Sequence, residues 1–218
     1  MPEPLTPIQR RLVGVLIEKA LTTPEQYPLS ANSMAAGASQ KSNREPFMDV
    51  NENTVLDALP QLRKRELVEM ANLSTGRVNR WKHRVKDVWG VERPQIAILA
   101  ELLLRGPQTI GELRTRTSRM YPFESMEVVQ ATLDSLMKRD DPLVAPCGPA
   151  PGGRAGRFRH TFYVPGEVKI IESAAAPVDV AHSAPPVETA APPDVLARLE
   201  AVEREVAELR QRLDALTS

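Results

Sequence analysis

The chain states one pattern twice. Leu56-Asp57-Ala58-Leu59 returns as Leu133-Asp134-Ser135-Leu136, and Trp81-Lys82-His83 returns as Phe158-Arg159-His160, both 77 positions later. Arg77 returns as Arg154 at the same spacing, and Leu67-Val68 returns as Leu143-Val144 one position out of step. Self-similarity at a fixed offset indicates one supersecondary unit used twice. A length of 218 residues accommodates two such units, each of about 80 residues and each able to bury a small core. Aromatic residues make up 4% of the chain, so those cores must be aliphatic.

Local signals place the elements. Thr6-Pro7 opens a helix that runs to about Leu21, with Pro at the first helical position. Ser30 caps a short helix over Ala31–Ala38. A loop over Gln40–Val50 leads to a third helix over Glu52–Arg65. Its apolar face carries Val55, Leu56, Leu59 and Leu62, and Pro60 is expected to kink it unless contacts compensate. Leu67–Ala71 and Val78–Val85 follow as strands around Gly76. The second unit repeats the order. A helix over Arg93–Arg105 stops at Gly106-Pro107, and a Thr109/Glu112 capping box opens a helix to about Arg119. A Ser125-capped helix ends near Lys138-Arg139, and strands follow over Leu143–Ala145 and Arg157–Val164. The expected class is α+β, mainly α. The expected divisions are residues 1–90, 91–171, a Pro/Ala-rich disordered linker over 172–193 and a coiled-coil helix over 194–218.

Three helices followed by a two-stranded hairpin is the winged-helix arrangement. The run Gln40-Lys41-Ser42-Asn43-Arg44-Glu45-Pro46 resembles the signature loop of the YceH-like family of bacterial proteins. The run Leu102-Leu103-Leu104-Arg105-Gly106-Pro107-Gln108-Thr109, with Gly111-Glu112-Leu113-Arg114, resembles its second motif. The likeness spans roughly residues 5–164. Trp81 and Phe158 stand where the family pattern has tyrosine, and the loop before Gly156 is richer in glycine. The resemblance implies tandem winged-helix domains and raises DNA binding as an expectation. It carries no catalytic or binding residues to this chain.

Charge agrees with that expectation weakly. Lysines plus arginines balance aspartates plus glutamates at 28 each. The balance hides an asymmetry. Residues 1–93 have 14 basic against 11 acidic side chains, residues 94–164 have 9 against 7, and residues 165–218 have 5 against 10. The repeats are mildly basic and the tail is acidic, so any field attracting nucleic acid is modest. Strand alternation puts Arg80, Lys82 and Arg84 on one face of the first hairpin and Trp81, His83 and Val85 on the other. A row of cations on a wing suits a phosphate backbone. Arg77 lies in the same hairpin's turn, and the second unit offers Arg154, Arg157 and Arg159. An ordinary solvated strand edge would look the same. Lys41 and Arg44, in a loop longer than its counterpart in the second unit, are candidates for an anionic partner. Against them stands a loop in which Asn43, Glu45 and Pro46 simply build a turn.

The third helices argue the other way. Their outward residues include Glu52, Asn53, Thr54, Asp57, Gln61 and Lys64 in the first unit, and Glu127, Gln130 and Asp134 in the second. Neither has an arginine in its first half, where bidentate guanine contacts are made. Either wings and loops hold DNA, or these helices meet protein, making the chain an interaction adaptor. His83 and His160 share strand faces with apolar residues and are expected to be packed histidines. No cysteine or histidine near them has metal-ligand spacing, so no metal or cofactor is expected. The single cysteine, Cys147, precludes a disulfide within the chain. No nucleophile–base pattern or phosphate-cradling glycine loop appears, so no enzyme activity is expected. No apolar stretch approaches the ~20 residues of a membrane span, and no signal peptide is recognisable, so a cytoplasmic setting is expected.

Val195, Leu199, Val202, Val206, Leu209, Leu213 and Leu216 alternate spacings of four and three, the seam of a coiled coil. About three heptads is marginal for a lone helix, so the expected state is a homo-oligomer joined through this seam. Light scattering of the full chain should give the mass of an oligomer. Deletion of residues 194–218 should return it to the monomer; an unchanged mass would exclude a homotypic coil.

Overall fold

The computed structural model describes residues 2–71, 78–164 and 166–168. Arg77, the linker and the coil with Leu199, Val202, Val206, Leu209, Leu213 and Leu216 lie outside the described residues. The described part is α+β, about half helical, with small antiparallel sheets.

The first half begins with helix α1 (Pro7–Thr22), whose Thr6 cap and Gln9 side chain form a reciprocal capping box. Strand β1 (Leu29–Ser30) leads into α2 (Ala31–Ala38), capped by Ser30. Helix α3 (Glu52–Lys64) is capped by Asn51. Strands β2 (Val68–Met70) and β3 (Arg80–His83) pair antiparallel, and β1 adds to the free side of β3, giving the order β1-β3-β2. A short helix α4 (Val85–Trp89) follows, stopped by Gly90 at φ +56. In the second half come α5 (Arg93–Arg105), α6 (Ile110–Arg116) with a single 3-10 turn over Thr117–Arg119, and α7 (Met126–Met137). Strands β4 (Val144–Cys147) and β5 (Arg157–His160) close it.

Several expectations need correction. Val85 starts a helix instead of ending a strand, and β1 was not anticipated. Pro60 lies inside α3 on its exposed side, and the helix continues four residues beyond it. The carbonyl it frees belongs to Leu56, at a solvated position. Leu56 itself is 48% exposed rather than part of the apolar face, where Ala58 is buried instead. The reason lies in the register of the repeat. The two third helices align through their caps, Asn51 and Ser125, at an offset of 74. That alignment matches Val55 to Val129, Leu59 to Leu133 and Leu62 to Leu136, all buried. The 77-residue echo of the Leu-Asp motif is therefore shifted by three positions, and it sets Leu56 against a core leucine. In the last strands of the hairpins the offset of 77 does hold, with 76 between the first strands: His83 pairs with Val68 and His160 with Val144. Equivalent bridges join Leu29 to Trp81 and Gln108 to Phe158.

One hydrophobic core runs through both halves. Its centre is the packing of α1 on α5, where every residue from Ile96 to Leu104 is buried. Gly14 permits it: a Cβ there would sit 2.9 Å from Leu104 Cγ and 3.3 Å from Leu103 Cβ. Gly37 makes a similar allowance for Val15 between α2 and α1. Gly14→Ala should cost about 1–3 kcal/mol through overpacking, outweighing the ~1 kcal/mol gained in helix propensity. Gly111, with nothing within 4 Å of its Cβ position, is the control. Gly111→Ala should be neutral or stabilising, and denaturant midpoints of the two variants give the comparison.

Candidate nucleic-acid interface

Eight of the nine cations expected at a phosphate backbone lie among the described residues, and they meet very different fates. On β3, Arg80 and Lys82 are exposed while Trp81 is buried, as strand alternation requires. Arg80 donates from Nη1 to the Pro28 carbonyl at 2.9 Å. Lys82 and Arg84 are drawn to Glu69, which the hairpin register sets directly opposite Lys82. Lys82 Nζ lies 2.7 Å from Glu69 Oε1, and Arg84 Nε lies 3.4 Å from Oε2 and 3.6 Å from Asp87. The Lys82 hydrogen bond leads in holding the Glu69 carboxyl below its usual range. Arg84 is half-buried and lies past the end of β3, at the N-cap of α4, so the strand face itself carries two cations, and Lys82 is partly neutralised from the neighbouring strand.

The second hairpin is turned inward. Arg159 is 8% exposed, so it does not form a wing contact. Arg157 is half-buried and donates to the Gly148 and Pro149 carbonyls at 3.1 and 3.2 Å, bracing its own loop. Arg154 remains exposed.

Arg44 is also a correction. Its side chain is fully buried, and both carboxylate oxygens of Glu18 accept from its guanidinium, at 2.5 and 3.2 Å. It further donates to the Gly37 and Asn43 carbonyls. Asn43 adopts φ +62, a conformation asparagine tolerates, and its side-chain oxygen accepts from Arg105. The Glu45 amide donates to the Leu104 carbonyl at 2.9 Å. The loop is a clasp holding α1, α2 and α5 together. The second motif is structural as well: Gly106 at φ +76 ends α5, and Gln108 bridges to Phe158 and to the Glu101 carbonyl.

Of that loop's two cations, Lys41 alone faces solvent. There it meets two cations that sequence reasoning passed over. Lys19 on α1, Lys41, and Arg119 in the 3-10 turn line a groove of about 540 Å³. They come from positions 22 and 78 residues apart, so only the folded chain brings them together. None of the three makes an ion pair among the described residues. The carboxylate beside them, Glu18, is committed to Arg44.

The third helices present what the sequence suggested, acidic and neutral side chains, plus something more. Leu56 is 48% exposed, Met126 53%, Val128 40%, and Phe47 in the preceding loop 57%. Among the described residues, no group of three His, Cys, Asp or Glu side chains is placed to hold a metal, and no helix is long and apolar enough to cross a membrane.

His83 and His160 are both packed. The His160 ring is fully buried, stacks on Tyr163 at 3.8 Å and accepts from the Phe162 amide through Nδ1. Burial leads in holding it neutral, well below the ordinary histidine range, aided by Arg10 and Arg159. Burial likewise lowers His83 to about 4, against a smaller opposing pull from Asp87. Between about 6.5 and about 4 the unfolded chain binds protons that the folded chain refuses, so stability falls as pH drops through that window. The loss attributable to His83 should be roughly 2 kcal/mol between about pH 7.5 and pH 5. Guanidinium unfolding at the two pH values should show it, and His83→Gln should reduce it; an undiminished loss in that variant would clear His83 as its cause.

The sequence profile of the family described as "Protein of unknown function, DUF480" matches residues 5–164, the span that includes both motifs and both hairpins. A UPF0502 protein of Citrobacter koseri is 42% identical over 217 residues, covering 97% of this chain and 95% of the relative. Another from Enterobacter sp. is 42% identical with the same coverage, and one from Shewanella pealeana is 39% identical over 219 residues, covering 97% and 98%. The clasp loop, the capped helices and the paired hairpins are therefore features of a chain that belongs to the DUF480/UPF0502 family, the uncharacterised bacterial family that the YceH-like motifs indicated.

Proposed function

We propose that this is a non-enzymatic, DNA-associated protein built on two tandem winged-helix domains and acting at the level of transcription. Two features support the domain assignment. The order helix, helix, helix, hairpin occurs twice, and the segment before each second helix bridges to the last strand of its hairpin, as strand β1 in the first half and as the single Gln108 bridge in the second. The observation that supports the nucleic-acid reading is the groove of Lys19, Lys41 and Arg119, three cations from three separate elements that make no ion pair among the described residues. Uncompensated cations are what release counterions from a phosphate backbone. Arg80 and Arg154 add to the footprint, while Lys82 and Arg84 contribute less because Glu69 holds them. The acidic third helices are not the readers in this scheme, so binding is weakly sequence-selective.

The protein-adaptor reading has its own support. Leu56, Met126 and Val128 put apolar surface on both third helices, beside residues poorly suited to a groove of DNA. Salt titration separates the two. Affinity for mixed-sequence duplex DNA should fall steeply with salt, and the triple variant K19A/K41A/R119A should flatten the log–log slope by about 2–3 units. Glu69→Gln should strengthen binding by freeing Lys82 and Arg84. Absence of binding at low salt would overturn the DNA reading and leave the third helices as protein-docking surfaces.

A further inference from the structure

A second cavity, of about 360 Å³, lies between α1, the Glu45–Met48 segment, the end of α5, and Tyr163 with Glu167. Its volume is at the lower end of the ~300–1,000 Å³ range of small-molecule sites. Pro46, Met48, Leu103, Pro107 and Tyr163 give it a mainly apolar wall. The charges around it are unevenly spent. Arg10 is held bidentately by Glu167 at 2.6 and 2.8 Å, and Arg105 lies 3.2 Å from Glu101. Arg11 is different. It is 2% exposed, it lines the cavity, and it makes no ion pair among the described residues. Two of its N–H groups go to the Ala38 and Pro46 carbonyls, while its Nε–H has no acceptor. A buried donor left unpaired is costly in a finished core.

We propose that this cavity binds a small organic carboxylate, with the carboxylate on Arg11 and an apolar body against Leu103, Pro107 and Tyr163. The edge of a guanidinium that carries Nε–H is a two-point match for a carboxylate. Burial, with Arg44 nearby, lowers the Arg11 pKa to about 10 against a smaller opposing pull from Glu45 at the cavity's edge, so the side chain is still a cation at neutral pH and can hold an anion. The apolar wall selects against bare phosphate, which would find few further donors. Glu167 closes one side and is tied to Arg10. The inference does not rest on DNA contact.

The full chain, with its methyl groups labelled, can be titrated by NMR with benzoate, benzamide and inorganic phosphate in turn. Benzoate should give saturable shifts centred on Leu102 and Leu103, with a Kd in the millimolar range or tighter. Benzamide and phosphate should bind at least about tenfold more weakly. Arg11→Met should abolish the preference for benzoate. Because Arg11 also braces two carbonyls, Met48→Trp serves as a second variant. Met48 is half-buried, and the larger ring should fill the cavity and block benzoate while the rest of the methyl spectrum is retained. No saturable response in the folded protein, equal affinity for benzoate and benzamide, or benzoate binding that survives Met48→Trp would each overturn the proposal.

Discussion

The close approach of α1 and α5 at Gly14 governs the architecture. Each is the first helix of its half, and each half's later elements fold against it. α5 is apolar on nearly all sides, and a helix of that kind must be surrounded. A single half cannot surround it. α1 supplies the missing side, and a side chain at Gly14 would hold the helices apart. The clasp loop then has a fixed place to dock. Its Glu45 amide meets the Leu104 carbonyl on α5 while Arg44 reaches Glu18 on α1. The loop seals the junction that the glycine permits.

Buried arginines complete the seal. Arg10, Arg11 and Arg44 are all under 8% exposed, and each donates to backbone carbonyls as well as, for two of them, to a carboxylate. Desolvating such charges can cost as much as their pairing returns, so their contribution to net stability is small. What they add is direction. A guanidinium with two or more fixed acceptors restricts the arrangement of the loops around it, where an apolar contact would admit several.

How far the sequence could be read follows from this. Caps are local, so Thr6, Ser30, Thr109 and Ser125 placed their helices to within a residue or two. Alternation is local, so the outward face of β3 was legible in Arg80 and Lys82. Burial of charge is not local. Nothing near Arg44 in the chain announces Glu18, 26 residues earlier. The Glu69–Lys82 pairing depends on hairpin register, which the intervening loop leaves open. Lys19, Lys41 and Arg119 share a groove only because α1 and α5 pack as they do. The strongest echo in the sequence misled by three positions within α3, since a repeated motif need not occupy a repeated register.

The two halves have diverged by the same physics. In the first, β3 keeps its cations outside. In the second, the chain leaving β5 is covered by the N-terminal segment: the Leu5 amide donates to the Phe162 carbonyl, Trp89 stacks on Phe162 at 4.6 Å, and Arg10 lies over the Tyr163 ring. Arg159 and His160 are buried in consequence. A hairpin enclosed in this way cannot also present a basic edge. Duplication supplied two copies of one unit, and joining their cores spent most of the second copy's hairpin on the joint. Among the described residues, the surface still free to meet a partner is then concentrated on the first hairpin, the two third helices and the groove beside the clasp.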